Sequence, residues 1–175
     1  MKSDVITITN REDGFEEALK ETLKVAAYEG MTDKETLQLQ MLTEEILSTA
    51  RIISGDMKAS FWIECEGKQA ALHMMTNTIL DKKLRAQLIS ASTSRKNEAA
   101  NSLLGRIRDE IEQAMAADYE STQLPADIER DIIGRNIEDP DWDEFECSIL
   151  RKLADEVKVS IRGQKVDMIV TKKFA

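Results

Sequence analysis

The sequence predicts an α+β fold, a two-layer sandwich in which a mostly antiparallel five-stranded sheet carries helices on one face. Three observations predict it. Alternating, β-branched segments lie near both ends of the chain, a strand pair with a tight turn lies in its first half, and amphipathic helical segments separate them. The element order is βααββ, a helical insert, and αββ. A chain of 175 residues suits one domain spanning residues 1–175.

The first two elements are a strand and a helix. Residues 4–9 (DVITIT) alternate and are β-branched, which is typical of a strand. Residues 14–29 are predicted to be helical, with Asp13 as the N-cap and Gly30 after the last turn. The predicted buried stripe of this helix consists of Phe15, Ala18, Leu19, Thr22, Leu23 and Ala26.

The second helix, from about residue 33 to residue 53, has the clearest helical pattern. Either Thr32 or Asp33 is predicted to cap it, and Thr32 and Glu35 have the spacing of a capping box. Glu45 and Thr49 fall one turn apart on the edge of its apolar face. There they either line a pocket beneath the sheet or flank a helix that serves only the core. The predicted core face consists of Leu39, Leu42, Ile46, Ala50 and Ile53.

A hairpin and a helical insert follow. Residues 57–65 and 69–77 predict two antiparallel strands, with Phe61, Ile63 and Cys65 on one face. Residues 78–142 form an insert in this frame rather than a second domain, because they lack the length and composition of an independent core. The insert contains a short helix starting at Asp81, a polar break at 91–97, a helix at 97–117, a short helix at 126–133 and an acidic loop at 136–144.

The apolar stripe of the 97–117 helix consists of Leu103, Leu104, Ile107, Ile111 and Met115. Packing on the frame and contact with another protein both explain such a stripe. The chain then returns to the frame. Residues 144–157 predict a helix, and residues 158–163 and 164–174 predict two further strands.

Composition narrows the function classes. The net charge is −9, which disfavours nucleic acid or an anionic membrane as the main partner. No apolar run reaches the length of a membrane span, and the N-terminal residues have no apolar signal core. We therefore expect a cytoplasmic protein with Cys65 and Cys147 as free thiols. The single histidine, His73, lies in a predicted strand and is interpreted as structural.

Two stretches carry a resemblance to a known family. The second helix contains LTEEILSTARI, and the tail reads ILRKLADEVKVSIRGQKVDMIVTKKF. With the element order, they resemble the histidine-kinase-like ATPase fold, also called the Bergerat or GHKL fold. The nearest subgroup is the small anti-sigma-factor serine kinases of bacteria. The resemblance covers the frame and leaves out residues 78–142, which stand in place of the family's ATP lid.

The resemblance implies roles for particular residues. Glu45 matches the family's catalytic acid, and Thr49 stands where the family has a metal-binding Asn. Asn77 stands near the family's adenine-binding Asp, without the glycines that follow that Asp. Acids at 143, 144 and 146 stand where a phosphate-binding Gly-x-Gly would be, and they would repel a triphosphate.

One polar stretch remains as a candidate phosphate site. It provides Ser92, Ser94 and Lys96 just before a predicted helix. The alternative interpretation is a polar loop that ends in an Asn cap at Asn97.

These residues lead to three functional hypotheses. The first is a non-catalytic regulatory protein that has kept the ATPase frame, needs no cofactor and binds a sigma factor or an antagonist. The resemblance also implies that it forms a homodimer. The second is a divergent ATP-binding serine kinase or ATPase that uses ATP and Mg²⁺ through the residues above. The third is an unrelated α/β scaffold, which a first strand outside the sheet or a solvent-facing Glu45 would favour.

Overall fold

The computed structural model describes residues 1–9, 11, 13–54, 58–100, 102, 105–112, 114 and 150–175. Within these ranges the chain forms the helices α1 (Phe15–Tyr28), α2 (Asp33–Ser54) and α3 (Lys82–Ala91), and a 3-10 turn spans Glu98–Ala100. Residues 105–112, here called α4, and residues 150–153 are also helical. The strands are β1 (Ile6–Ile8), β2 (Ala59–Glu66), β3 (Gln69–Asn77), β4 (Glu156–Arg162) and β5 (Lys165–Lys173).

The five strands form one sheet in the order β1-β2-β3-β5-β4. Every neighbouring pair is antiparallel, so the predicted fold class is confirmed. β1 joins the sheet through β2. A first strand outside the sheet, which would have favoured an unrelated scaffold, is therefore not observed. This strand order places β3 at the centre of the sheet and β4 at one edge.

One face of the sheet forms the core with α1 and α2. Alternate strand residues point to that face because successive side chains in a strand lie on opposite sides. As predicted, Phe61, Ile63 and Cys65 are buried. Each of the five predicted α2 core residues is at most 2% exposed. Inside this layer the hydroxyls of Thr22 and Thr43 lie 3.0 Å apart, which joins α1 to α2 by a buried hydrogen bond.

Two predictions about α1 are wrong. Asp13 does not cap the helix. Instead its carboxylate accepts a hydrogen bond from the Thr9 hydroxyl (3.0 Å), and Gly14 is the N-cap, with a φ of 86° and no side-chain cap bond. Leu23 is 44% exposed, whereas Val25 is fully buried. The direction in which α1 packs on α2 rotates the buried face toward Val25, and sequence periodicity alone did not fix that direction.

The prediction of one continuous helix over residues 97–117 is also wrong, because the chain turns between residues 98 and 105. After the 3-10 turn, Ser102 lies in a bend and α4 begins near Gly105. A side chain at Gly105 would collide with the carbonyl oxygen of Ala99, so only glycine permits this close return. Ile107 and Ile111 are 48% and 54% exposed, so this part of the stripe does not pack on the frame. Leu103, Leu104, Met115, the 126–133 helix and the acidic loop lie outside the described residues.

The helix predicted at 144–157 ends earlier than expected. Residues 150–153 are helical, and β4 already begins at Glu156. Val157 is 2% exposed in the sheet core, and its backbone pairs with Thr93 rather than with a helical turn. Asp155 sits between the two elements, where its carboxylate accepts hydrogen bonds from the Lys173 amide (2.7 Å) and the Lys172 ammonium (2.9 Å).

Candidate functional site

The predicted pair of Glu45 and Thr49 lies on α2. The capping box at its start is confirmed, because the Thr32 amide donates to Glu35 (2.6 Å) and the Glu35 amide donates to Thr32 (3.3 Å). These contacts also keep the pKa of the Glu35 carboxyl below its usual range. Further along the helix, Glu45 is half-buried and Thr49 is 7% exposed. Glu45 therefore lies at the edge of the buried face, as predicted, whereas Thr49 lies within that face.

Asn77, the predicted adenine contact, is the last residue of β3. It is exposed and stands opposite Lys165, the first residue of β5. The following residue, Thr78, donates its amide to the Gln164 carbonyl in the β4–β5 turn (2.7 Å). The end of β3 is thus tied to the turn that joins the last two strands.

The predicted phosphate-contact residues lie in a segment that covers the edge of the sheet. This covering segment, residues 92–97, follows α3 and runs along β4. Thr93 donates its amide to the Val157 carbonyl (2.8 Å) and accepts the Val157 amide on its hydroxyl (2.8 Å). Four residues later, Asn97 makes the same double contact with Ile161, by its side-chain amide (2.9 and 2.8 Å).

These contacts determine where the three candidate residues point. Ser92 is buried, and its hydroxyl donates to the Ile89 carbonyl (2.8 Å). Ser94 is exposed and donates to the carboxylate of Glu98 (2.8 Å). Lys96 is exposed, and its backbone amide donates to the Ser94 hydroxyl (3.3 Å). The hydroxyls of Ser92 and Ser94 are therefore both engaged by residues that flank the covering segment, in α3 and in the 3-10 turn.

A cavity that the sequence did not predict lies between this segment, α4 and β4. Its volume is about 320 Å³. On one wall Asp109 receives a hydrogen bond from Asn97 (2.6 Å) and forms an ion pair with Arg85, which is 9% exposed. The lining residues are Asn97, Ala99, Ser102, Gly105, Arg108, Asp109, Glu112, Ile161 and Arg162. No spacing in the sequence relates Arg85 to Asp109, so this pair was missed.

Glu112 closes the other wall of the cavity. Its carboxylate accepts hydrogen bonds from Arg108 (2.8 Å) and from the Gly163 amide (2.9 Å). Burial raises the pKa of the Glu112 carboxyl, but these two donors outweigh burial and hold the pKa below its usual value. Through Glu112, α4 is fixed to the β4–β5 turn.

The face of the sheet opposite the helices carries a second polar cluster. Trp62 on β2 and His73 on β3 are directly opposite in register, and their rings stack with 4.8 Å between centroids and 3° between planes. Glu64 accepts hydrogen bonds from Lys2 (2.8 Å) and from the Trp62 indole (3.1 Å). The Lys2 ammonium also lies 5.4 Å from the Trp62 ring centroid. This cluster borders a wider depression of about 760 Å³ at the end of β2.

The predicted site residues fall in three places: on α2, at the end of β3 and in the covering segment. Neither of the two cavities above is lined by Glu45, Thr49, Asn77, Ser92, Ser94 or Lys96. Among the described residues there is no group of three or more His, Cys, Asp or Glu side chains that could hold a metal ion. Within the same ranges, no helix is both long and apolar enough to cross a membrane.

No protein-family model matches the chain, and no curated protein matches its sequence.

Proposed function

We propose that the chain is a non-catalytic regulatory domain that keeps the frame of a histidine-kinase-like ATPase and binds another protein. One observation carries this proposal, which is that the covering segment is bonded to the edge of β4. Thr93 and Asn97 each use a donor and an acceptor on β4. A segment held in this way supports the sheet, and the hydroxyls of its Ser92 and Ser94 already donate to Ile89 and Glu98.

The shape of α4 supports a protein partner. Its polar residues Asp109 and Glu112 point toward the covering segment and the β4–β5 turn. Its apolar residues Ile107 and Ile111, one turn apart, are 48% and 54% exposed. A helix usually buries its apolar stripe, so this inverted arrangement favours contact with another protein. The resemblance to anti-sigma-factor kinases makes a sigma factor or its antagonist the expected partner class.

Thermal unfolding with and without nucleotide tests the non-catalytic part of the proposal. We expect the Tm to stay the same within error when millimolar ATP and Mg²⁺ are added. A ligand that binds only the folded state raises the Tm by mass action, so a nucleotide site would be detected. A rise of several degrees that Glu45→Ala or Asn77→Ala abolishes, and that the neighbouring Glu44→Ala leaves unchanged, would overturn it.

Binding to purified sigma factors and their antagonists tests the second part. We expect one of them to bind the chain with micromolar or tighter affinity by calorimetry. Ile107→Asp with Ile111→Asp should weaken that binding at least about tenfold, because a charge is placed in a desolvated contact. Ile79 is 75% exposed elsewhere on the surface, so Ile79→Asp is the matched control and should bind normally. Equal weakening by both variants would exclude α4 as the contact surface.

The divergent ATP-binding serine kinase is the second candidate. The observation that favours it is the pairing of Glu45 and Thr49 on one turn of α2, the first half-buried and the second 7% exposed. In that proposal Glu45 is the base, Thr49 holds Mg²⁺ through its hydroxyl and Asn77 contacts adenine. Ser92, Ser94 and Lys96 contact the phosphates. If the Tm does not change with ATP at any concentration up to millimolar, the kinase candidate is excluded.

A further inference from the structure

We propose that Glu64 exchanges ion-pair partners with pH, holding Lys2 when His73 is neutral and turning toward His73 when that ring takes up a proton. The exchange would weaken the attachment of residues 1–3 to β2. The exchange involves the face of the sheet opposite the helices and is independent of any protein partner at α4.

The first step of the argument is the attachment of the N-terminal residues. Residues 1–3 run beside β2 beyond the end of β1. The Ser3 amide donates to the Ile63 carbonyl (2.9 Å), and the Cys65 amide donates to the Met1 carbonyl (2.8 Å). The Ile63 amide donates to the Ser3 hydroxyl (2.9 Å), which bridges a break in the regular ladder. Lys2 adds the side-chain contact with Glu64.

The second step is the geometry of the Glu64 carboxylate. One oxygen, Oε1, receives both Lys2 and the Trp62 indole. The other, Oε2, lies 3.7 Å from His73 Nε2, which is too long for a hydrogen bond. His73 Nε2 is buried and has no hydrogen-bond partner. A small rotation of the carboxylate would bring Oε2 to that nitrogen at the expense of the contacts made by Oε1.

The third step is what protonation changes. An imidazolium carries a hydrogen on both ring nitrogens, so Nε2 becomes a donor that needs an acceptor. Glu64 is the acidic group facing it from β2. On the β5 side, the register partner of His73 is the uncharged Ile169. The nearby Asp167 carboxylate is already 3.7 Å from the Lys165 ammonium, with which it forms an ion pair. From the N-terminal residues, the facing charge is Lys2. Lys2 and protonated His73 therefore compete for Glu64.

The charges act in the directions this competition requires. Burial lowers the pKa of His73, Glu64 raises it and Lys2 lowers it. Hydrogen bonds from Lys2 and Trp62 hold the pKa of Glu64 below its usual range, so this carboxylate stays ionised while the histidine titrates.

Nuclear magnetic resonance tests the exchange on the whole chain, whose single histidine gives one titration curve. Two quantities are measured between pH 7.5 and 5. The first is the midpoint of the His73 ring shifts. The second is the exchange rate of the Cys65 amide hydrogen, divided by its intrinsic rate at each pH. That amide reports on residues 1–3 because it is bonded to Met1.

We expect the normalised exchange of the Cys65 amide to rise about twofold to fivefold with the same midpoint as His73, the range expected for losing one exposed ion pair. The amides of β5 should change less. In Lys2→Ala, the His73 midpoint should move to higher pH, and Cys65 exchange should be fast at every pH. In His73→Phe, which keeps the stacked ring, Cys65 exchange should not respond to pH.

Lys158→Ala is the matched control, because it removes a lysine from the same face that pairs with Glu156 and not with Glu64. It should leave both quantities at the wild-type values. Constant Cys65 protection across the His73 titration would overturn the proposal. An unchanged His73 midpoint in Lys2→Ala would overturn it equally.

Discussion

Asn97 and Ile161 are joined by two hydrogen bonds in which a side-chain amide takes the place of a neighbouring strand. The amide nitrogen donates to the Ile161 carbonyl at 2.9 Å, and the amide oxygen accepts the Ile161 N–H at 2.8 Å. Thr93 makes the equivalent pair with Val157. An uncovered edge strand can pair with another chain, so these contacts protect β4 from such pairing.

Substituting Asn97 should therefore destabilise the fold. Asn97→Ala removes the two bonds to Ile161 and the bond to Asp109, and it leaves buried backbone groups without partners. We expect the free energy of unfolding to fall by about 2–3 kcal/mol, measured by urea denaturation. Ser94→Ala in the same segment removes an exposed hydroxyl and should cost less than about 0.5 kcal/mol. Similar losses in the two variants would contradict the role assigned to Asn97.

Gly14 is a second position where a substitution should destabilise the fold, because there is no room for a Cβ atom. It has a φ of 86°, and an added side chain would collide with the carbonyl of Thr7 in β1. Gly14→Ala should lower the free energy of unfolding by about 3 kcal/mol, since a left-handed backbone and a steric clash both contribute.

Gly67 separates these two contributions. It also has a positive φ, of 53°, but has open space around it. Gly67→Ala should cost only about 1 kcal/mol, the backbone contribution alone. If both variants lost the same stability in urea denaturation, the proposed clash with β1 would be wrong.

Stability should also depend on pH through His73. Its pKa in the folded chain is lowered from the ordinary value of 6.5, mainly by burial. Well above pH 6.5 the ring is neutral in both states and its full contribution to stability is present. As the pH falls from 6.5 toward the folded pKa, the unfolded chain binds the proton first, so the free energy of unfolding decreases.

His73→Phe removes this dependence while keeping a ring beside Trp62. Denaturant unfolding at several pH values should show a flatter profile for this variant between pH 6.5 and 5. The contributions of Glu64 and Asp155 appear at lower pH, because both carboxyl pKa values are lowered in the folded chain. A wild-type profile as flat as that of the variant would contradict the lowered pKa that partial burial gives His73.

Local patterns in the sequence predicted a large part of the fold. The α2 core face, the Thr32–Glu35 capping box and the helix start at Asp81 were all confirmed, because each depends on residues within one or two turns of each other. The alternation in β2 placed Phe61, Ile63 and Cys65 on the buried face for the same reason.

The errors arose where distant residues meet. Asp13 was a good local cap, but the close approach of β1 requires Gly14 at that position. Helical spacing continued through Val157, but pairing with Thr93 made it a strand residue. The pattern of the predicted 97–117 helix gave no sign that Gly105 would return against Ala99.

The candidate site shows the same division. The sequence by itself determined the α+β class, the antiparallel hairpins and the position of Glu45 and Thr49 on one turn of α2, because period and capping are local properties of the chain. Only the tertiary structure decided that residues 92–97 cover β4, that Asp109 meets Arg85 and that His73 stacks on Trp62. These contacts join residues between 11 and about 64 positions apart, and the packing that brings such residues together leaves no periodic trace in the sequence.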